Sequence, residues 1–145
     1  MRISIAADHA GYLEKNKLID FLEKKNIEVL NLGTDSGDSV DYPFYGQKVA
    51  QSIINNESDR GIVICGTGIG ISIAANRFKN IRASLCTSTT HAEMARKHND
   101  SNILALGARI TDIADIKEIV EVWLNTEFEG GRHLDRINKI ENINA

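Results

Sequence analysis

Little in this chain suggests a metal, a membrane or a nucleic acid. Its two cysteines, Cys65 and Cys86, form no CxxC pair and stand in no Cys/His ligand spacing. Free thiols in a reducing compartment are the simplest expectation. Basic residues do not outnumber acidic ones, and the net charge of −3 excludes a broad cationic surface for nucleic acid. No apolar run approaches membrane-spanning length. Met1 leads directly into the strand-like Arg2-Ile3-Ser4-Ile5 without a signal-peptide pattern, so a cytoplasmic location is expected. Aromatics are few, at 6%, and proline occurs once, at Pro43. No repeat or low-complexity tract appears. What is present is a 145-residue chain of ordinary apolar content. That suffices for one domain, residues 1–145, whose core needs neither disulfide nor metal.

Strand and helix patterns alternate five times. The first strand covers residues 2–7, and Asp8-His9-Ala10-Gly11 turns the chain. A helix is expected over 12–25, with Leu18, Phe21 and Leu22 on one face and the lysines elsewhere. A second strand follows at 27–32, then a Gly/Asp/Ser-rich loop over 33–41. Pro43 suits the first turn of a helix reaching about residue 56. Gly61 to Cys65 reads as the third strand, and residues 82–86 and 102–106 as the fourth and fifth. A helix lies between those two, over 88–97. Thr111 or Asp112 is placed to cap the next helix, whose Ile113, Ile116, Ile119, Val120, Trp123 and Leu124 recur at helical spacing. Gly130-Gly131 breaks it, and a last helix covers 132–143. This pattern predicts an α/β fold with three α/β/α layers, Rossmann-like, having a five-stranded parallel sheet and an extra C-terminal helix. Ligands of such folds bind beyond the carboxyl ends of the strands. Asp8, His9 and Cys65 all fall there.

The chain is organised around Cys65-Gly66-Thr67-Gly68-Ile69-Gly70-Ile71-Ser72. A buried β-branched strand ends at the cysteine, and an apolar segment after the glycines reads as a helix. Glycines let backbone N–H groups approach a ligand closely, and a helix start adds unpaired donors and a positive dipole end. A thiol at the mouth of that cradle is expected to favour its thiolate. We therefore read Cys65 as a catalytic base, whereas Cys86 reads as a small buried hydrophobe. A dinucleotide fingerprint fits poorly. The spacing is GxGxG, it follows the third strand, and no acidic residue ends the next strand to hold a ribose. No Lys-Ser or Lys-Thr follows, which excludes an NTPase phosphate loop.

Other residues carry two readings each. Asp8-His9 can be a turn with a helix cap or part of the site. His98, beside Asn99, can complement a helix dipole or act as an acid–base group. Arg132 and Arg136 are i and i+4, so their forks lie side by side. They suit a phosphate, or they pair with Glu129 and Glu141 on a solvated face. Arg109, just past the fifth strand, stands in the same position. His91 and His133 suggest no function by pattern.

Together, Asp8-His9-x-Gly11, Asp41-Tyr42-Pro43, the CGTGxG stretch, His98-Asn99 and Gly130-Gly131-Arg132-His133 resemble the type B ribose-5-phosphate isomerases. The resemblance runs through nearly the whole chain in order and implies one sugar-phosphate isomerase domain over 1–145. It implies interconversion of ribose 5-phosphate and ribulose 5-phosphate, without cofactor or metal. It also implies a homodimer with shared active sites, or a dimer of such dimers. By that resemblance Cys65 moves the proton between C2 and C1, and His98 opens the furanose ring. Gly66, Thr67, Gly68, Ile69 and Gly70 hold the enediolate oxygens, with Thr67 orienting the base or an oxygen. Asp8, Tyr42 and Asn99 contact the sugar, and His9, Arg132, Arg136 and Arg109 bind the phosphate. His98, Asn99 and Arg109 are expected to serve the partner's pocket. A second branch of the family uses Ser and a following Glu. No Glu occurs from Gly66 to Asn76, which points to the cysteine branch. Allose 6-phosphate and galactose 6-phosphate are the alternative substrates. A non-catalytic sugar-phosphate sensor is the alternative of another class.

Overall fold

A computed structural model of the chain describes residues 1–143. Five strands are β1 (Arg2–Ala7), β2 (Glu28–Asn31), β3 (Arg60–Cys65), β4 (Ala83–Leu85) and β5 (Ile103–Gly107). The helices are α1 (Tyr12–Glu23), α2 (Tyr42–Ile54), α3 (Ile69–Ala75), α4 (Thr89–Asn99), α5 (Ile113–Asn125) and α6 (Arg132–Glu141). The strands form one parallel sheet in the order β2-β1-β3-β5-β4. This settles the placing of the last two strands, which the sequence pattern leaves open. β5 lies inside the sheet, fully buried, and β4 is a short, half-buried edge. The run Ile103-Leu104-Ala105-Leu106 suits a strand covered on both faces.

Alternation along each strand feeds two cores. Ile3, Ile5, Ile62, Ile64, Leu104 and Leu106 pack with α1, α4 and α5. Ala6, Val63, Cys65, Ile103 and Ala105 pack with α2 and α3 on the other face. Strand and helix ends mostly differ from the sequence reading by one or two residues, where fraying and caps decide, but α5 ends at Asn125 and is not broken by Gly130-Gly131, because Thr126 is already extended and gives its carbonyl to Arg96 Nε. Pro43 sits in the first turn of α2. Asp112 takes the position before α5, but its side chain makes no capping bond. The lysine expectation for α1 fails at one position. Lys15 is completely buried on the face of Leu18 and Leu22, because a polar socket waits for its ammonium.

The strand order reverses between β1 and β3. β1 leads outward to β2, and the chain then returns to lay β3 on β1's other side. Loops leaving that point diverge, and a crevice opens at the carboxyl ends of the two strands. Asp8 follows β1 and Cys65 ends β3, so the topology brings them together.

Candidate active site

The turn after β1 is fixed by its own backbone. The Asp8 N–H donates to Ile64 O, and Asp8 Oδ1 accepts the Ala10 N–H at 2.9 Å. Asp8 thus closes a turn and does not cap α1, whose N-cap residue is Gly11. Gly11 is required by space, since a Cβ there would lie 2.6 Å from Ile64 Cγ2. His9 Nδ1 accepts the Val40 N–H at 3.2 Å. A neutral imidazole held this way carries its proton on Nε2, which leaves that atom a donor.

The loop bearing Val40 is tied down by Lys15. Its Nζ reaches Asp35 Oδ1 at 2.8 Å, Asn31 Oδ1 at 3.0 Å and Asn16 Oδ1 at 3.1 Å. Asn31 also bonds Asp35 and the Gly33 N–H. The Lys15 ammonium, with help from Asn31, holds the Asp35 carboxyl below the usual carboxylate value.

At the end of β3 the glycine loop is shaped by close contacts. Gly68 has φ +80°, and a Cβ there would lie 2.6 Å from Leu85 Cδ1 and 2.9 Å from Leu106 C. Gly107, paired with Cys65 across the sheet, lets the Thr67 backbone rest on the end of β5, where a Cβ would meet Thr67 O at 2.5 Å. The buried Cys65 Sγ accepts the Gly68 N–H at 3.2 Å, so charge arising on sulfur meets a donor already in place. Thr67 Oγ1 accepts the Ile69 N–H at 3.2 Å. The Gly66, Thr67 and Gly70 N–H groups make no hydrogen bond to any described residue. The Tyr42 ring lies over Gly70, where a Cβ would come within 2.5 Å of Cε1. Cys86 differs from Cys65. It is buried among apolar groups, and burial pushes its thiol up to about 12.

Arg109 belongs to this same end of the chain's own sheet. Its N–H donates to Gly66 O at 2.9 Å, and its side chain lies against Gly66. The resemblance assigns it, with His98 and Asn99, to the partner's pocket. The structure separates them, because β5 runs between their positions.

His98 and Asn99 end α4, at the amino edge of the sheet. There Arg82, just before β4, bonds the Asn99 carbonyl, and Asn102, just before β5, bonds Arg82. The length of β5, roughly 15 Å at about 3.3 Å per residue, lies between them and the Cys65 loop. Beside His98 stands a residue to which the sequence pattern assigns no role. His133 stacks on His98 with centroids 4.4 Å apart and planes inclined by 18°. His133 is buried and titrates below the usual histidine value, first through burial and then through neighbouring His98 and Arg132. Glu129 Oε1 lies 3.7 Å from His98 Nε2. No periodic signal joins a helix end to a glycine turn more than thirty residues later. Only the GGRH spelling marked the place.

Arg132 and Arg136 are exposed on one side of α6. Neither makes a salt bridge with a described residue, which removes the ion-pair reading. Glu129 faces His98, and Glu141 takes Arg82 and the Asn80 N–H. The site residues therefore fall into two groups. Asp8, His9, Tyr42, Cys65 to Gly70 and Arg109 stand at the carboxyl end. His98, Asn99, Arg132 and Arg136 stand with α4 and α6.

A family model described as Ribose/Galactose Isomerase matches residues 3–140. Ribose-5-phosphate isomerase B of Escherichia coli is 43% identical over 142 residues, 98% of this chain and 95% of that protein. The solved ribose-5-phosphate isomerase B of Clostridium thermocellum has a TM-score of 0.98 at 52% identity, covering 99% of this chain and 97% of that one. A Mycoplasma genitalium ribose-5-phosphate isomerase B, solved with bound ribulose-5-phosphate, has a TM-score of 0.94 at 38% identity, covering 98% and 95%.

Proposed function

The chain belongs to the ribose/galactose isomerase family, and from that premise we propose that it interconverts D-ribose 5-phosphate and D-ribulose 5-phosphate. The observation that carries this reading is likeness along the whole chain to an isomerase solved with the ketose product. The chemistry agrees with the residues. Proton removal beside a carbonyl makes an enediolate, whose charge appears on oxygen. The unpaired Gly66, Thr67 and Gly70 N–H groups suit that charge, and preorganised donors are the strongest means of stabilising it. Cys65 is the base that carries the proton between C2 and C1, and Thr67 holds the loop through the Ile69 N–H. Asp8 and Tyr42 face the sugar hydroxyls from opposite sides of the loop. The reaction as written needs no metal.

The working unit is a homodimer with shared sites. His98 opens the furanose ring by proton transfer at the ring oxygen, yet within one chain it stands far from Cys65. A second copy brings His98, Asn99, Arg132 and Arg136 to the first copy's loop. His9 Nε2 and Arg109 meet the phosphate from the loop's own side. Ile69, Ile73 and Phe44, each more than half exposed, give α2 and α3 an apolar face beside the loop for that contact. The non-reacting phosphate then holds the open sugar in a reactive pose.

Hybrid dimers test this directly. Cys65→Ala and His98→Asn chains should each be inactive on ribose 5-phosphate. Co-expressed, they should recover about a quarter of wild-type turnover, since half the dimers are hybrids with one intact site of two. No recovery would mean that each chain builds its own site. Turnover of allose 6-phosphate or galactose 6-phosphate in preference to the pentose would reassign the substrate. Binding without turnover of any of the three would make the protein a sensor.

A further inference from the structure

The His98 cluster has a second capacity. His98, Glu129 and His133 each offer one donor atom, and these atoms lie within 4.8 Å of one another. They come from the last turn of α4, the turn before α6 and the first turn of α6. The backbone fixes that meeting. The Glu129 N–H donates to Lys97 O at 3.1 Å, and the His133 N–H donates to Gly130 O at 3.2 Å. Gly130 and Gly131, at φ +71° and +59°, turn the chain between them. Both glycines have open space around them, so it is the left-handed backbone that requires them.

We propose that His98, Glu129 and His133 form a binding site for one divalent transition-metal ion, zinc above all, and that its occupation stops ring opening. Two imidazoles and one carboxylate are a zinc donor set, with a fourth position open to water. Bonds of about 2.0–2.2 Å around a tetrahedral ion need donors roughly 3.4 Å apart. The cluster must therefore contract, and the stacked rings must tilt open. The His98 and Glu129 side chains, 41% and 50% exposed, have room to swing, while buried His133 supplies the fixed donor. Arg132 and Arg136 oppose any cation here. The two imidazoles select against magnesium and calcium, which take oxygen donors, and favour ions that bond well to nitrogen. A metal-bound His98 nitrogen carries no proton and cannot serve the ring oxygen.

Cobalt(II) titration of chelator-stripped protein tests this independently of turnover. One ion per chain should bind with the visible bands of a tetrahedral nitrogen–oxygen site, without a thiolate charge-transfer band, and zinc should displace it. Glu129→Gln and His133→Gln should each weaken binding by roughly tenfold or more, about 1.4 kcal/mol, and Cys65→Ala should leave it unchanged. Zinc should inhibit wild-type turnover reversibly, and Glu129→Gln should need correspondingly more. Binding that survives both variants overturns the site, as does a thiolate band lost in Cys65→Ala, or zinc bound at the cluster without inhibition. Metal-free turnover reports separately on the proposed isomerase reaction.

Discussion

The Cys65 loop and the His98 cluster stand at opposite ends of one sheet and are built on different principles. The loop is made of backbone. Its shape follows from Gly68, Gly70 and Gly107, each sitting where a Cβ would meet another group at 3.0 Å or less. The cluster is made of side chains, from two helices and a turn, held by a stack and a half-exposed carboxylate. A backbone site is rigid and tolerates little substitution. A side-chain site is adjustable, and this one lacks a thiol and an oxyanion cradle of its own. On the proposed mechanism, the contrast lets a small domain run two proton transfers, the demanding one fixed by backbone donors and the other left to groups that a second copy would present.

The sharpest way to break the contrast is at sulfur. Cys65→Ala should lower kcat by about 10³-fold or more, in line with loss of a positioned base, with phosphate-ligand binding retained. Cys86→Ala should leave turnover near wild type, and retained activity in the first variant would remove Cys65 from the chemistry. Gly68→Ala comes next. Its Cβ collides with backbone at Leu106, so we expect a loss of about 1–3 kcal/mol and turnover reduced by about 10²-fold, the scale of a misplaced oxyanion donor. Calorimetry and steady-state rates check both. His98→Asn probes the other end. It should slow the cyclic aldose far more than the open ketose, at nearly unchanged melting temperature, and equal slowing would refute ring opening.

Most of the fold was legible because the central strands spell continuous apolar runs and α5 repeats at helical spacing. The glycine loop was legible for a related reason, since three alternate glycines have few uses besides close backbone approach. The order of β4 and β5 was not, because it depends on which strand the helices cover. Lys15 misled the reading. Its position matches Leu18 and Leu22, but nothing local announces that Asn31 and Asp35 will meet its ammonium. His133 was invisible for the same reason, its partner being brought by tertiary packing alone.

Two smaller effects sharpen the picture at the loop end. Lys15→Met leaves Asn31 and Asp35 without their cation and loosens the segment whose Val40 holds His9. Stability should change by only about 1 kcal/mol, since the exposed acceptors are re-solvated by water, and KM should rise several-fold with kcat nearly constant. Asp35→Asn is gentler. The carboxyl titrates lower in the folded chain than in the unfolded one, so its contribution is complete above the ordinary carboxylate value. It is lost as pH falls through the folded one, below about pH 4. The variant should flatten the acid limb of a melting-temperature profile there. It should change little at neutral pH, because the Asp35 side chain is 72% exposed and screened by solvent.

The seat of Thr67 on Gly107 carries a consequence for how the molecule comes into being. Synthesis delivers the cysteine and its glycines early, when the surface on which they rest has not yet been made. α3, β4 and α4 must all emerge before β5 can slide in beside β3 and give the loop its floor. A nascent chain stopped short of β5 therefore owns the Cys65 thiol without the floor of its loop, and the proposed chemistry waits until the centre of the sheet is complete.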